Sequence, residues 1–331
     1  MSRLVDAFDA ALFDLDGVIY LGPLVIDGVT AALDTLRDTG IRVGFVTNNA
    51  ARTPAAVAAH LVELDIPATA SDVVNSTQAT VRMLQADLPA GSKLLVVGTE
   101  ALADQLREGG FTPVQSLDQD PIAVVQGYHP AQEWSQLEMG AIAVQNGAIW
   151  YATNPDMTRP TERGILPGCG AQVAVIRACV DVDPKVAGKP FRPLLDETVL
   201  RLAADHPIFV GDRLDTDIMG ANVVGMASLF VFTGAHGKAD LASADESSRP
   251  THIGFDVSAL LMPARMVEAH EEGHVVSCGQ QQISVTDGTA HIMGEPEGVE
   301  EQLDALWALL HAAWHLGADV GDELPQLDLL R

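Results

Sequence analysis

Asp14 and Asp16 are two carboxylates, one residue apart, at the end of an apolar stretch formed by residues 11–13. Such a stretch is typical of a buried strand, and Gly17 indicates that the chain turns directly after it. Two carboxylates this close repel each other unless a divalent cation or a shared proton compensates their charge. Taken alone, the pair predicts either a site for chemistry or an acidic turn in solvent.

Further polar groups follow later segments of the chain, and several of those segments have the pattern of buried strands. In a parallel α/β sheet, ligands bind at the carboxyl ends of the strands, so we expect these groups to converge on one crevice. In chain order they are Thr47, Asn48 and Asn49, then Lys189, then Asp212 and Asp217.

These residue types suit phosphoryl transfer. One carboxylate can attack phosphorus, and a second can protonate the leaving oxygen and later take a proton from water. Mg²⁺ held by Asp14 and Asp212 would compensate the charge of that attack. The hydroxyl of Thr47 and backbone N–H groups at the start of a helix can hold the phosphoryl oxygens, and Lys189 can balance their charge.

Four ordered segments of the sequence resemble the motifs of haloacid dehalogenase (HAD) superfamily phosphatases, and of their NagD-like branch in particular. The resemblance covers residues 1–258 and implies a Mg²⁺-dependent hydrolase of phosphoric monoesters that forms an aspartyl phosphate. The matching segments are Asp14–Tyr20, Val46–Asn49, Gly188–Pro190 and Gly211–Ile218.

The resemblance implies a role for each carboxylate. Asp14 would be the nucleophile, and Asp16 would be the general acid and base. Asp14 and Asp212 would bind Mg²⁺ through their carboxylates, and Asp16 would bind it through its backbone carbonyl. Asp217 would act on the metal through a neighbouring ligand or a water molecule.

The resemblance also implies which residues hold the phosphate. Thr47, Asn48 and Asn49 would bind the phosphoryl oxygens, and Lys189 would bridge the phosphate and the nucleophile. The family usually continues Thr-Asn-Asn with Ser, whereas Ala50 stands at that position here. This difference removes one hydroxyl but none of the required groups.

The first half of the chain alternates strand-like and helix-like segments, which predicts an α/β fold with a parallel sheet. We expect a HAD Rossmann-like catalytic core formed by residues 1–76 and 187–258. A large α/β cap would be inserted at residues 77–186. It would not lie between Asp16 and Thr47, because that connection is too short to contain a domain. Residues 262–331 would form a small C-terminal α+β extension.

In the resembling family, the cap closes over the core and selects the leaving group of the substrate. A surface histidine and solvated loop cations are the alternative interpretation of His129, Arg159 and Arg163. Cys169, between two glycines, is interpreted as a small packing residue and not as a nucleophile. The candidate substrate contacts in the cap are His129, Asn154, Asp156, Arg159 and Arg163.

A NagD-like phosphatase followed by an acidic C-terminal extension resembles the domain arrangement of actinobacterial glycerol 3-phosphate phosphatases. In those enzymes the C-terminal tail resembles part of a GNAT acetyltransferase. It lacks the Gly-rich pyrophosphate loop of such enzymes. Glycerol 3-phosphate is therefore the first substrate hypothesis, with phosphoglycolate, a nucleoside monophosphate or a sugar phosphate as alternatives. A phosphomutase and a non-catalytic phosphometabolite sensor are hypotheses of other classes.

The composition argues against two classes of partner, and the large cap favours a small phosphorylated metabolite as substrate. A formal net charge of -26 opposes binding to nucleic acid or to an anionic membrane surface. No run approaches the ~20 apolar residues of a membrane span, and the N-terminal residues lack the pattern of a signal peptide. Three widely spaced cysteines predict reduced thiols and a cytoplasmic location. Trp307 and Trp314, on an amphipathic helical segment, leave a homodimer open.

Overall fold

The computed structural model describes residues 2–161, 164–270 and 274–330. The chain divides into two compact units. The first unit contains residues 1–43 and 205–331, and the second contains residues 44–204. The predicted division into core, cap and extension uses other boundaries and remains a prediction.

Strands and helices alternate through most of the described chain. The strands are β1 (Ala10–Phe13), β2 (Tyr20–Leu21), β3 (Leu24–Val25), β4 (Arg42–Thr47), β5 (Val73–Asn75), β6 (Lys93–Val97), β7 (Thr112–Val114), β8 (Ala123–Gln126), β9 (Ile149–Ala152), β10 (Thr158–Thr161), β11 (Gly164–Pro167), β12 (Lys185–Val186), β13 (Pro207–Gly211), β14 (Ala227–Val231), β15 (His252–Gly254), β16 (Val267–His270), β17 (Val275–Cys278), β18 (Gln281–Thr286) and β19 (Thr289–Ile292). The α-helices are α1 (Val29–Asp38), α2 (Pro54–Glu63), α3 (Ser76–Asp87), α4 (Glu100–Glu108), α5 (Trp134–Gln145), α6 (Cys169–Arg177), α7 (Arg192–Leu202), α8 (Met219–Val224), α9 (Lys238–Ala242) and α10 (Val299–Leu316).

The first unit contains parallel strands in the order β15-β14-β13-β1. All four residues of β1 are buried, as are Ile208–Gly211 of β13. Strands of a parallel sheet are covered on both faces, which explains why their sequences are continuous apolar runs. Because β1 and β13 are parallel neighbours, the residues that follow them, Asp14 and Asp212, leave the sheet at the same edge.

The last part of the first unit is an antiparallel meander, β16-β17-β18-β19, covered by α10. Asp287 and Gly288 both have positive φ, as a two-residue hairpin turn between β18 and β19 requires. The apolar face of α10 shares one buried cluster with this meander and with Leu214, Ile218 and Phe230. The extension is therefore packed into the same core as the strands of the first unit.

The second unit contains the parallel sheet β12-β9-β8-β6-β7, with apolar clusters that contain its helices. β4 pairs with β5 in parallel through residues 45–47. The side chain of Thr53 accepts a 3.2 Å hydrogen bond from Ala56 N–H, and Pro54 is the first residue of α2, so this helix has a capping hydroxyl and a proline at its first position.

The apolar runs at residues 94–97, 123–126 and 149–152, whose pattern predicts strands, lie in β6, β8 and β9. Several short strands are not predicted by the sequence pattern, including β7, β12, β16 and the hairpin β10-β11. These strands have two to four residues each and, unlike β8 and β9, they are interrupted by polar residues, proline or glycine or have only two residues. Among the described residues, no helix is both long and apolar enough to cross a membrane.

Candidate active site

Asp14, Asp212 and Asp217 form a group of carboxylates in the first unit. Each offers an oxygen that lies within 4.8 Å of an oxygen of the other two. Asp212 and Asp217 are 2% and 1% exposed, and Asp14 is partly buried. Carboxylates this close and this buried repel one another strongly unless a cation lies between them.

The donor set of this group fits Mg²⁺. Hard divalent cations prefer carboxylate oxygens, and Mg²⁺ is held by few carboxylates with water and substrate completing its octahedron. The backbone at Gly17 and Gly234 packs closely against the Asp212 side chain. A Cβ atom at Gly17 would lie 2.6 Å from Asp212 Oδ2, and one at Gly234 would overlap the same carboxylate. Two glycines therefore leave the space that the Asp212 side chain occupies.

Backbone N–H groups fix two of these carboxylates. Ala235 N–H donates a 2.6 Å hydrogen bond to Asp212 Oδ2. Arg213 N–H donates a 3.1 Å hydrogen bond to Asp217 Oδ2, within the turn that leads into the π-helical residues Leu214–Ile218. Hydrogen bonds from N–H groups stabilise the charged form of a carboxylate, which is the form that binds a metal. The sequence predicts an indirect role for Asp217, and the structure places its carboxylate within the group itself.

Asp16 lies apart from this group of carboxylates, and its side chain is exposed. The chain turns at Gly17, whose φ is +89° and whose N–H donates to Tyr20 O at 2.8 Å. Asp14 and Asp16 would share one face if the strand continued, but β1 ends at Phe13. An exposed carboxylate suits a group that exchanges protons with substrate and water, which is the role predicted for Asp16.

A second group of candidate residues lies in the second unit, around Asn48. The Asn48 side chain accepts from Lys189 N–H at 2.8 Å and donates to Lys189 O at 3.0 Å and to Asp156 Oδ1 at 2.9 Å. The backbone carbonyl of Asn48 accepts hydrogen bonds from the Asn154 side chain at 2.6 Å and from Ser76 Oγ at 2.7 Å. The Asn48 side chain thus joins three segments of the second unit.

Thr47 and Asn49 complete the loop that contains Asn48. Thr47 is 5% exposed, and its Oγ1 accepts from Asn49 N–H at 3.1 Å. Asn49 is exposed, and its Oδ1 accepts from Ala51 N–H at 2.9 Å. The expectation that this loop is the start of a helix is wrong, because α2 begins at Pro54. The side-chain hydrogen bonds to the backbone hold a non-helical loop instead.

Lys189 is 2% exposed, an unusual burial for an ammonium group. The preceding residue, Gly188, has no room for a side chain, because a Cβ there would lie 2.6 Å from Asn48 Oδ1 and 2.7 Å from Thr153 O. The close approach of these segments therefore requires Gly188. A charge at this depth must be compensated, which fits a residue that binds an anion.

The candidate cap contacts have unequal support. Asn154 is 3% exposed. Its Nδ2 donates to Asn48 O at 2.6 Å, and its Oδ1 accepts from Asp156 N–H at 3.2 Å, so its side chain joins neighbouring segments. His129 is partly buried, and its Nδ1 accepts from Ala131 N–H at 3.0 Å. The Arg159 guanidinium lies 5.0 Å from the centre of the Tyr128 ring. Arg163 lies outside the described residues.

Cys169 is buried, and its Sγ lies 3.7 Å from Thr153 Oγ1. Burial raises the pKa of the Cys169 thiol to about 12. A thiol with this pKa is protonated at neutral pH and is a poor nucleophile. The interpretation of Cys169 as a packing residue therefore agrees with its environment.

The loop formed by residues 233–237 contacts the carboxylate group, although no motif in the sequence predicts it. Thr233 Oγ1 donates to Gly17 O at 2.6 Å, and Ala235 N–H donates to Asp212. This loop follows β14, a parallel neighbour of β13, so its position at the end of a strand was the signal that could have identified it. The segment from Thr233 to Ala235 has no acidic or basic side chain, and its contact with the Asp212 carboxylate is made by a backbone N–H.

Comparison with known proteins identifies the family. Residues 11–112 match the model of haloacid dehalogenase-like hydrolases, and residues 186–260 match a second HAD-hydrolase-like model. The D-glycerol 3-phosphate phosphatase of Mycobacterium tuberculosis is 39% identical over 319 residues, which cover 96% of this chain and 89% of that protein. The 5'-nucleotidase YutF of Bacillus subtilis is 35% identical over 243 residues, covering 73% of this chain and 93% of that protein.

Solved structures agree with this identification. The glycerol phosphate phosphatase of M. tuberculosis in complex with magnesium superimposes with a TM-score of 0.84 at 39% identity, covering 94% of this chain and 92% of that chain. Its complex with calcium gives a TM-score of 0.85 at 38% identity, covering 97% and 92%. The predicted α/β fold with a HAD Rossmann-like core is confirmed. The chain belongs to the haloacid dehalogenase-like hydrolases, in the NagD-like branch of their phosphatases.

Proposed function

We propose that this protein is a Mg²⁺-dependent phosphatase that hydrolyses glycerol 3-phosphate through an aspartyl phosphate on Asp14. The observation that carries the chemistry is the group of Asp14, Asp212 and Asp217, whose oxygens lie within 4.8 Å of one another. Support for the substrate comes from the M. tuberculosis D-glycerol 3-phosphate phosphatase, whose match extends over 96% of the chain.

Two displacements at phosphorus make up the proposed reaction. In the first, an oxygen of Asp14 forms a bond to phosphorus while the bond to the ester oxygen breaks, and Asp16 gives a proton to the departing alcohol. In the second, water attacks the same phosphorus and Asp16 takes its proton. The bond to Asp14 then breaks, which releases phosphate and restores the Asp14 carboxylate and the protonated Asp16.

Asp14, Asp212, Asp217 and the backbone carbonyl of Asp16 are the groups that would hold Mg²⁺. When bound, Mg²⁺ neutralises the charge that two anions bring together in the attack. The Ala235 N–H that donates to Asp212 Oδ2 holds that carboxylate in its orientation for this purpose.

We propose that Thr47, the backbone N–H groups of Asn48 and Asn49, and Lys189 bind the phosphoryl group. Lys189 would supply a full positive charge, and burial strengthens its effect because less water screens it. The two hydrogen bonds between the Asn48 side chain and the backbone of Lys189 hold these groups in one arrangement before substrate arrives.

Other esters are the alternatives to glycerol 3-phosphate. The B. subtilis relative is named a 5'-nucleotidase, and a Staphylococcus aureus relative named acid sugar phosphatase is 36% identical over 229 residues, covering 69% of this chain and 87% of that protein. These matches cover less of the chain than the match to the glycerol 3-phosphate enzyme does. Phosphoglycolate also remains a candidate substrate.

Phosphate release over a panel of these four classes of ester, with Mg²⁺, tests the proposal. Asp14→Asn is compared with Asp215→Asn, because Asp215 is 54% exposed and pairs with Arg213. We expect glycerol 3-phosphate to give the highest kcat/KM, Asp14→Asn to be inactive, and Asp215→Asn to equal wild type. Another leading ester would refute the substrate, and an active Asp14→Asn would refute the mechanism.

Any turnover that requires Asp14 also rules out the hypothesis of a non-catalytic phosphometabolite sensor. A phosphomutase would instead transfer the phosphoryl group to a second hydroxyl, and so it would release little phosphate. The likeness of the extension to a GNAT acetyltransferase, the cytoplasmic location and the homodimer stay predictions. Acetyl-CoA titration, cell fractionation and light scattering would test them in turn.

A further inference from the structure

We propose that Lys238 is a positioning residue for the carboxylate of Asp212, and that it acts by fixing the loop 233–237 to the C-terminal segment 327–330. This inference rests on the Mg²⁺ site of the proposed function. It gives the extension a role in metal binding, within the first unit of the chain.

The loop 233–237 is bonded to Asp212 at more than one point. Ala235 N–H donates to Asp212 Oδ2 at 2.6 Å, and His236 N–H donates to Asp212 O at 3.3 Å. His236 Nδ1 accepts a 2.9 Å hydrogen bond from Leu214 N–H, just after Asp212 in the chain. The position of this loop therefore sets the position of both the side chain and the backbone of Asp212.

Lys238 directly follows this loop and connects it to the end of the chain. Its ammonium donates hydrogen bonds to Leu327 O at 2.7 Å and to Leu330 O at 2.5 Å. Both acceptors are backbone carbonyls, so the contact depends on the path of the C-terminal segment and not on the type of its side chains. Hydrogen bonds from a charged donor are stronger than neutral ones, which suits an anchor.

The C-terminal segment is itself held firmly against α10. The Gln302 side chain, 2% exposed, donates to Asp328 Oδ1 at 2.9 Å and accepts from Leu329 N–H at 2.9 Å. The side chains of Leu327 and Leu330 are buried, at 0% and 2% exposed. An anchor with both hydrogen bonds and buried apolar side chains can resist displacement of the loop.

Asp212 needs such support because its neighbours in the metal group are also carboxylates. Mutual repulsion would move the Asp212 side chain away from Asp14 and Asp217 before a cation binds. Groups that orient metal ligands from outside typically change metal affinity by ~10–100-fold when they are removed. Lys238 acts through the loop and not on the carboxylate itself, so we expect the low end of this range.

The experiment measures Mg²⁺ binding to the metal-free full-length protein by isothermal titration calorimetry. In Lys238→Met the chain keeps an aliphatic side chain but loses the donors, and we expect the Kd for Mg²⁺ to rise about tenfold. Lys238→Arg keeps donors and should restore most of the affinity. Lys93→Met, at an exposed lysine of the second unit, is the matched control and should bind as wild type does.

A purely structural role would give a different result. Lys238→Met would then unfold at lower temperature without metal, while its Kd for Mg²⁺ stayed at the wild-type value, and the inference would be overturned. If Lys238→Met does not fold, Gln302→Leu takes its place, because it loosens the segment without altering the loop. We expect its Kd to rise in the same direction, and an unchanged Kd would also overturn the inference.

The same titrations separate this inference from the proposed function. A wild-type protein that binds no Mg²⁺ would contradict the proposed metal dependence. A wild type that binds Mg²⁺ together with variants that bind it equally well would contradict the role of Lys238 alone. At saturating Mg²⁺ we expect Lys238→Met to keep a kcat near wild type, with only its half-saturating Mg²⁺ concentration shifted.

Discussion

Asn48 and Lys189 are joined by two hydrogen bonds in which the side-chain amide of Asn48 pairs with the backbone of Lys189. Asn48 Oδ1 accepts from Lys189 N–H at 2.8 Å, and Asn48 Nδ2 donates to Lys189 O at 3.0 Å. Both residues are at least nine-tenths buried. The pairing fixes the backbone of the candidate phosphate-binding lysine relative to the loop that contains Thr47.

Asn48→Ala should therefore reduce both activity and stability. Loss of the side chain leaves buried polar groups of Lys189 without these partners, and each such group costs about 1–3 kcal/mol. We expect unfolding free energy to fall by about 2–4 kcal/mol and kcat/KM by about 100-fold, since Lys189 loses its fixed position. Denaturant unfolding and phosphate release on the same preparation measure the two effects.

Asn49→Ala is the matched control for this variant, because Asn49 is the adjacent amide but is exposed. Its stability should change by less than about 1 kcal/mol, as for most exposed sites. An Asn48→Ala protein that keeps the kcat/KM of the Asn49→Ala protein would show that the pairing with Lys189 does not matter for catalysis.

Gly234→Ala should weaken metal binding, because an added Cβ would overlap the carboxylate of Asp212. The carboxylate or the loop must move, and we expect the half-saturating Mg²⁺ concentration for hydrolysis to rise at least ~10-fold. Gly298→Ala serves as control, since no atom lies within 4 Å of its added Cβ. Equal Mg²⁺ dependence of the two variants would refute the close packing of Gly234 on Asp212.

Asp212→Asn should separate stability from activity. Removing one of three close carboxylates relieves repulsion, so without metal we expect this variant to melt at a higher temperature than wild type. Mg²⁺ at ~100 times its Kd should stabilise wild type by about 2.7 kcal/mol and the variant much less. Its kcat should fall by about 100–1,000-fold, a loss of several kcal/mol of charge stabilisation.

Differential scanning calorimetry with EDTA and with Mg²⁺, beside phosphate-release assays, checks this prediction. Asp215→Asn is again the control, because it removes the same charge from an exposed position of the same turn. A metal-free Asp212→Asn protein that melts below the Asp215→Asn protein would argue against repulsion within the group.

Because the thiol of Cys169 is buried, we expect the free energy of unfolding to fall at high pH. Its pKa is raised from 9.0 to about 12 by burial, so the folded protein keeps the thiol protonated where the unfolded chain ionises. The stabilising effect is complete below pH 9 and is lost as the pH rises toward 12. At pH 10 we expect this thiol to lower the free energy of unfolding by about 1 kcal/mol.

Guanidinium unfolding at pH 8 and pH 10 measures this cost, and Cys169→Ala should lose less stability between the two values than wild type does. Thiol labelling of the native protein at pH 8 provides a second test, because Cys179 is exposed whereas Cys169 and Cys278 are buried. Rapid labelling of Cys169 would contradict the environment described for it.

The sequence by itself determined the family and most of the regular elements. Strands such as β6 and β8 are continuous apolar runs, and this property is visible without any knowledge of their neighbours. The order of Asp14, Thr47, Lys189 and Asp212 identified the chemistry, because few reactions use these residue types at successive strand ends. These features depend on local composition and spacing.

The tertiary structure alone decided which atoms of these residues are available. Asn48 and Lys189 are 141 residues apart in the sequence. The residue types around either position do not predict the hydrogen bonds that occupy the Asn48 side chain. The loop beside Asp212 contributes through a backbone N–H, which every residue but proline has, so no residue type marks it. Contacts of backbone groups between segments far apart in the sequence form only when the chain folds. These contacts set the geometry in which the motif residues act.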